Sequence, residues 1–579
     1  MIPSVPGPVT LYYPRWIPGR HRPVGQIANV SGLQILANGQ ARAWRRDDAD
    51  PFVIHCQMEP DAKTLEVKFD LLLAAGSEGG AAFMTVASPK VLTMNWNDVL
   101  MYPNATQALQ LPYTASLHLP AGWKYGTALT TESEKEGVVH FKTVSLETLI
   151  DSPVLAGEHV RIVPLGNEKD RHRVVLACDS PDGLDVTNET RAAWDRLPGE
   201  AAALFGPARP YTNYTFLLGL SNHIPSAGIE HHQSSDNRLT ELALLKSAER
   251  RAAATLLPHE YTHSWNGKFR RPADMIMKDY QTPQQTRLLW VYEGLTNYLG
   301  WVLAARCGLF SPEDAREYLA LTASRMSNSR GRAWRPLDDT AAAANVLFDA
   351  PRSWRAWRRA TDFYDEGTLL WLEVEVLIRS RSQGKKSLED FCQAFFGGGS
   401  GKPIVVGYSL DDVVQALQAV TPYDWKAFFN RRVELLADAP PLDGIEGCGW
   451  KLAYGEKPSD LFIAQEGLSK GVNLSDSIGL QLAADGTVSD VVPGLAAAQA
   501  GLAPGMKILA VNGRRYTAEA IKSAVAKTKA DGKLDLLAES GDFFRTHPLA
   551  YSGGAKYPRL ERVGSQPDLL NEILKSKTQ

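Results

Sequence analysis

The sequence predicts a multidomain α+β chain, because three kinds of patterning follow one another along it. Up to about residue 165 apolar residues recur at every second position: residues 65–71 ("LEVKFDL") alternate apolar and charged side chains strictly, and residues 113–119 ("YTASLHL") nearly do. That period is the signature of an antiparallel sheet with one buried face. Residues 172–180 ("HRVVLACDS") and 213–221 ("NYTFLLGLS") read as two further strands, after which long helical segments run to about residue 440. This is an α+β block followed by helices. Beyond about residue 455, "SIGLQL", "AAAQAGLAPGMKILAVNGRR" and an amphipathic "TAEAIKSAVAKTK" with Ile521, Ala524 and Val525 on one face predict a separate small domain. The expected boundaries are 1–165, 166–310, 311–454, 455–550 and a C-terminal tail, 551–579.

Within the helical stretch one helix start is legible in detail. Ser311 is placed to cap it, Pro312 falls at the first helical position, and Glu313 and Asp314 occupy the electropositive first turn; Gly308 ends the helix before it. Residues 397–403 ("GGGSGKP") read as a flexible loop rather than a phosphate-binding loop, since Gly-Lys follows the preceding glycine too soon and no strand leads in.

Composition limits the function classes. The 579 residues are 44% hydrophobic and 22% charged with a formal net charge of -3, so the chain is globular and has no global basic field to draw it to nucleic acid or anionic lipid. No apolar run is long enough for a membrane span, and the start of the chain as given lacks the basic-then-apolar pattern of a signal peptide. The expected compartment is the cytoplasm by default, or the periplasm or exterior if an export signal was trimmed. Cys56, Cys178, Cys307, Cys392 and Cys448 lie far apart without a C-x-x-C pair, which predicts buried thiols rather than a disulfide framework or a thiolate metal site.

The chemistry concentrates in residues 259–272, "HEYTHSWNGKFRRP". On a helix, positions i and i+4 share a face, so His259 and His263 can offer imidazole nitrogens to one cation, with Glu260 beside them as general base. Two neutral imidazoles and a carboxylate suit zinc, with one coordination position left open. Pro258 would break a helix interior, but with Thr255 as cap it falls in the first turn, where its missing N–H costs nothing. A third ligand must come from elsewhere, and "LLWVYEGLTNYLG" (288–300) supplies Glu293 within a helix otherwise rich in apolar residues; Asn297, four positions on, could orient a histidine ligand by accepting its second N–H.

The pair "HEYTHSWNGKFRRP" and "WVYEGLTNY" resembles the glycyl aminopeptidase family of zinc metallopeptidases, which are gluzincins related more distantly to aminopeptidase N. The long segment between the second histidine and the glutamate fits the former group better. "PRWIPG" (14–19), "AGIEHHQSS" (227–235) and "YSGGAKYPRLERV" (551–563) agree with it, so the resemblance spans nearly the whole chain. It implies an N-terminal antiparallel β domain, a thermolysin-like catalytic domain with one zinc ion, a helical domain and a C-terminal PDZ domain. It also implies Tyr364 as the hydroxyl that stabilises the oxyanion, and Glu230, with Gly228 and Ile229 before it, as the loop that binds a substrate's free α-amine. His231 and His232 are left unassigned. In the PDZ domain, Ile478, Gly479 and Leu480 would receive a peptide C-terminus by strand addition. The expected activity is removal of N-terminal residues, glycine or alanine by resemblance, from peptides. The alternatives are a zinc endopeptidase with PDZ-assisted capture and a non-catalytic PDZ binding protein.

Overall fold

The computed structural model describes residues 2–3, 6–73, 84–166 and 171–578. The chain divides into two compact units: residues 1–245, 259–285 and 396–409 form one, and residues 246–258, 286–395 and 410–579 the other.

The first unit opens with antiparallel sheets, as the two-residue period predicts. Thr64–Leu71 pairs with Val30–Ala37, and Gly7–Tyr12 with Val53–Met58. Leu65 enters a core with Leu11, Ile35 and Ile54, while Lys68 and Asp70 face water, so the alternation in 65–71 reports a half-buried strand. Residues 113–119 are not one strand: Pro112–Tyr113 pairs with Val144–Ser145, whereas Ser116–His118 pairs with Val138–Phe141. Next comes a five-stranded mixed sheet in the order His159–Pro164, His172–Cys178, Tyr214–Leu220, Ser234–Leu239, Ala227–Glu230. Its three central strands are parallel and its outer two antiparallel to them. Every residue of Tyr214–Leu220 is buried, which is why that strand reads in sequence as an apolar run without alternation. Ala227–Glu230 lies at the sheet edge.

The second unit is helical up to about residue 449 and then takes in a small domain with strands. Helix Pro312–Asn328 starts as its sequence predicts: the Ser311 hydroxyl accepts the Asp314 N–H, the Asp314 carboxylate accepts back from Ser311, and Gly308 ends the previous helix, Leu289–Cys307, in the left-handed conformation at φ 89°. Helix Ala518–Asp531 buries Ile521, Ala524 and Val525 in the core of the small C-terminal domain. That domain is spliced into the unit through a two-stranded ribbon, since Trp450–Gly455 before it pairs antiparallel with Tyr557–Arg562 after it. The closing segment 551–579 therefore supplies a strand, and then the helix Leu569–Leu574, to the helical region. All five cysteines are buried and free. Among the described residues no helix is long and apolar enough to cross a membrane.

Helices Leu289–Cys307 and Asp365–Arg381 cross at two glycines. A Cβ on Gly367 would lie 2.5 Å from the Gly294 Cα, and one on Gly294 would lie 2.7 Å from the Phe363 carbonyl oxygen. The helix axes thus approach as closely as backbone allows, beside Glu293 on one helix and Tyr364 at the start of the other. Glycine to alanine inside a helix ordinarily stabilises by about 1 kcal/mol. At this contact the sign should reverse, because Gly367→Ala must force the helices apart at an overpacking cost of about 1–3 kcal/mol. A fall in the thermal midpoint is expected; an unchanged or raised midpoint would mean that the crossing is not tight.

Candidate metal centre

The motif helix is short, Leu256–Thr262, and Pro258 is its third residue, in the turn where amides have no acceptor inside the helix. One of its faces is fixed by aromatic packing: Tyr261 is buried against Tyr214 and Phe216, its hydroxyl shares hydrogen bonds with His172 and Tyr211, and Trp265 just beyond the helix stacks on Phe205 at 4.6 Å. His259 and His263 project together elsewhere, with their Nε2 atoms 3.1 Å apart. The chain leaves the helix after Thr262 and turns so that the Asn266 carbonyl oxygen lies 2.9 Å from His263 Nδ1. A carbonyl only accepts, so Nδ1 holds the proton and Nε2 presents its lone pair. Two imidazole nitrogens meeting at that distance need a proton or a cation between them. His259, Glu260 and His263 each offer an atom within 4.8 Å of the others, so two imidazole nitrogens of the kind that suits zinc converge with the Glu260 carboxylate beside them. Glu260 is 5% exposed, His263 is buried and His259 is partly open.

In the same unit Glu230 ends the edge strand Ala227–Glu230, in which Gly228 pairs with Asn237, Ile229 with Asp236 and Glu230 with Ser235. Glu230 is 3% exposed, and Gly19, at the end of the segment 14–19, lies directly on its carboxylate. Gly19 has φ +84°, and a Cβ there would come within 2.7 Å of Glu230 Oε2, so only glycine fits. The neighbouring Arg20 is buried; desolvation, and then repulsion from Arg238, bring its guanidinium down to about 10 against the opposing pull of Asp98, Asp236 and Glu230. A compact group of buried charges therefore surrounds this carboxylate.

In the second unit Glu293 is 2% exposed within helix Leu289–Cys307, and Tyr364 caps the start of helix Asp365–Arg381. The residues flanking Tyr364 are clamped by arginines: Arg325 pairs with Asp365 at 2.8 Å, Arg359 with Glu366 at 2.7 Å and Arg332 with Glu366 at 3.1 Å. Asn297, expected beside a histidine, has its amide donating to Thr368 Oγ1 at 2.8 Å and to the Tyr364 carbonyl at 3.3 Å. It joins the glutamate helix to the tyrosine, while the acceptor on His263 is a backbone carbonyl. Gly19 and Gly294 lie inside the motifs 14–19 and 288–300, and Gly367 lies in none, but no local pattern marks a glycine as a contact between distant segments.

Three family models match the chain: the M61 glycyl aminopeptidase over residues 252–370, the M61 N-terminal domain over 1–158, and the PDZ domain over 463–539. The chain thus matches both the catalytic and the N-terminal models of the M61 glycyl aminopeptidase family. Among solved structures it shares the fold of an aminopeptidase N family protein from Idiomarina loihiensis, with a TM-score of 0.80 and 20% identity over 99% of this chain and 96% of that one. An M1 zinc metallopeptidase variant from Deinococcus radiodurans aligns with a TM-score of 0.44 at 16% identity, covering 76% of this chain and 89% of that one. Yeast LTA4 hydrolase aligns at 0.43 and 14%, covering 73% and 64%. No curated protein matches the chain.

A largely buried ion pair joins the two M61 matches within the first unit. Asp151, in the N-terminal match, accepts from the Lys268 ammonium at 2.9 Å, from His231 Nδ1 at 3.3 Å and, through its other oxygen, from the His232 backbone N–H at 2.7 Å. The Ser264 hydroxyl donates to the His232 carbonyl at 2.9 Å. One carboxylate thus fixes both the loop that follows Glu230 and the segment that follows His263. Burial would raise the Asp151 carboxyl, but the Lys268 charge and then the His231 hydrogen bond outweigh it and hold it well below the usual carboxylate range. Burial likewise pushes His232 down to about 3, so it is neutral there.

Lys268 is 1% exposed, so removing Asp151 strands its charge. Asp151→Asn should cost about 3–5 kcal/mol in urea unfolding. Lys268→Met should also be destabilising, and the double variant should lose less than the sum of the two; additive losses would disprove the coupling. Because the folded carboxyl titrates below the unfolded one, its stabilisation is complete above about pH 4 and is lost as the pH falls towards the folded value. The Asn variant should lack that part of the acid dependence.

Proposed function

We propose that this metallopeptidase is a zinc aminopeptidase, and that the buried carboxylate of Glu230, closed over by Gly19 at the end of an edge strand, reads the substrate's free N-terminus. The M61 matches support the metallopeptidase class; the exopeptidase assignment rests on Glu230. In this reading His259, His263 and Glu293 would hold one zinc ion, which would supply Lewis acidity at the scissile carbonyl. The His263 tautomer imposed by Asn266 keeps its Nε2 available as a ligand. Glu260 takes a proton from the attacking water and delivers it to the leaving amine, so the peptide bond is cut without a covalent enzyme intermediate. The Tyr364 hydroxyl donates to the oxyanion as it forms, and Asn297 steadies the tyrosine through its carbonyl. Gly228 and Ile229 offer main-chain groups along the sheet edge to an extended substrate. A glycine or alanine preference follows from the family resemblance alone.

Glu260→Gln should keep one zinc per chain and lose turnover by about 10²-fold or more, with metal content and peptide hydrolysis read on the same sample. Normal turnover in that variant would remove Glu260 from the proton transfer.

An N-acetylated peptide lacks the ammonium that would pair with the Glu230 carboxylate, a loss of about 2–5 kcal/mol. Blocked peptides should therefore be cut at least about tenfold more slowly than free ones. Glu230→Ala should cut both poorly and discriminate between them less. Equal cleavage of blocked and free peptides by the unaltered protein would favour an endopeptidase.

A further inference from the structure

Peptide capture by strand addition needs an unpaired strand edge, a nest of backbone N–H groups for the terminal carboxylate and pockets for alternate side chains. In the small C-terminal domain the strand in question is Leu480–Leu482, after the loop 475–479. One of its edges pairs with Val488–Val491. The other is already taken: Val472–Leu474 runs antiparallel along it, with Val472 opposite Leu482 and Leu474 opposite Leu480.

The polarity of this segment is that of a captured C-terminus. Its last residue, Leu474, lies at the loop, and the Leu474 carbonyl oxygen accepts the N–H groups of Ser477 at 3.2 Å, Ile478 at 3.1 Å and Gly479 at 3.1 Å. The alternation fits as well. Val472 and Leu474, 3% and 2% exposed, enter the same core as Ile521 and Val525 of helix Ala518–Asp531, while Asn473 between them is partly open. Glu466 bridges segment and helix by accepting the Asn473 N–H at 2.9 Å and pairing with Lys522. The loop is also held from outside, since Asp476 accepts from Asn328 Nδ2 at 2.7 Å and from the Ser324 hydroxyl.

We propose that residues 472–474 are the built-in ligand of the PDZ domain, which therefore takes no C-terminal peptide from solution. A segment tethered through so short a loop competes at an effective concentration of about millimolar or higher, which a free peptide has to overcome. The apolar side chains and carbonyl of the segment occupy the positions that an incoming terminus would need.

The test uses the full chain and a fluorescein-labelled copy of residues 470–474, Lys-Gly-Val-Asn-Leu, with a free carboxylate or as its amide. With unaltered protein, anisotropy should show no saturable binding of either peptide up to about 1 mM, and hydrogen exchange across 472–482 should be slow and unaffected by peptide. Saturable micromolar binding of the carboxylate form, or protection of 472–482 that arises only when peptide is added, would overturn the proposal. The double variant Val472→Gly/Leu474→Gly should exchange rapidly in that segment and bind the carboxylate peptide but not the amide. If that variant keeps its peptidase activity and its C-terminal-domain fold yet gains no binding, the segment is not a ligand; if it fails to fold, the two measurements on unaltered protein decide.

Discussion

The Nδ1 proton of His263 is held by the Asn266 carbonyl, and much of the first unit can be read as what keeps that carbonyl in place. The motif helix is only Leu256–Thr262, too short to hold its histidines by helical hydrogen bonding alone. Its rotation is set by Tyr261 and Trp265, packed into aromatic neighbours from the sheet and from helix Asn188–Phe205. Its exit is set by the turn through Asn266 and by Lys268, anchored on Asp151. A histidine pair built in this way would already be positioned for a cation, which would lower the ordering entropy that binding has to overcome.

The same carboxylate has a second consequence. Because Asp151 also accepts the His232 N–H, it sets the exit of the strand that ends in Glu230. The part that would hold metal and the part that would read a substrate's amine are thus referred to one partly buried charge, and neither loop can shift without disturbing it. Charge pairs of this kind add little net stability compared with apolar packing, so the gain lies in fixing geometry.

Much of this was legible in the sequence, and the rest was hidden for identifiable reasons. The two-residue period of 65–71, the capped start at Ser311 and the spacing of His259 and His263 are local patterns, and each has its local outcome in the structure. The segment 113–119 misled because near-alternation cannot reveal that the chain changes partner midway. Asp151 with Lys268, and Gly294 with Gly367, are pairs whose members are far apart in sequence and unremarkable alone. Asn297 shows the intermediate case. Its face of the helix was legible, but its partners, Thr368 and the Tyr364 carbonyl, depended on a helix crossing that only the tertiary structure sets.

The small C-terminal domain bears on the choice between exopeptidase and endopeptidase. A peptidase that fed itself by capturing chain ends would need its acceptor edge open, its nest of amides unspent and its mounting compliant enough to hand substrate onward. None of these holds for Leu480–Leu482: Val472–Leu474 lies along its edge, the Leu474 carbonyl occupies the amides of the loop, and the domain is joined at both ends through the ribbon formed by Trp450–Gly455 and Tyr557–Arg562. Asp476, hydrogen-bonded to Asn328, ties the same loop to helix Pro312–Asn328. If residues 472–474 are its built-in ligand, as proposed, a domain fastened in this way would serve as a wall of its unit rather than as a receptor. On the proposed reading, substrate selection would then rest on the groups around Glu230, where a buried carboxylate beneath Gly19 has the chemistry to distinguish a charged amine from an amide.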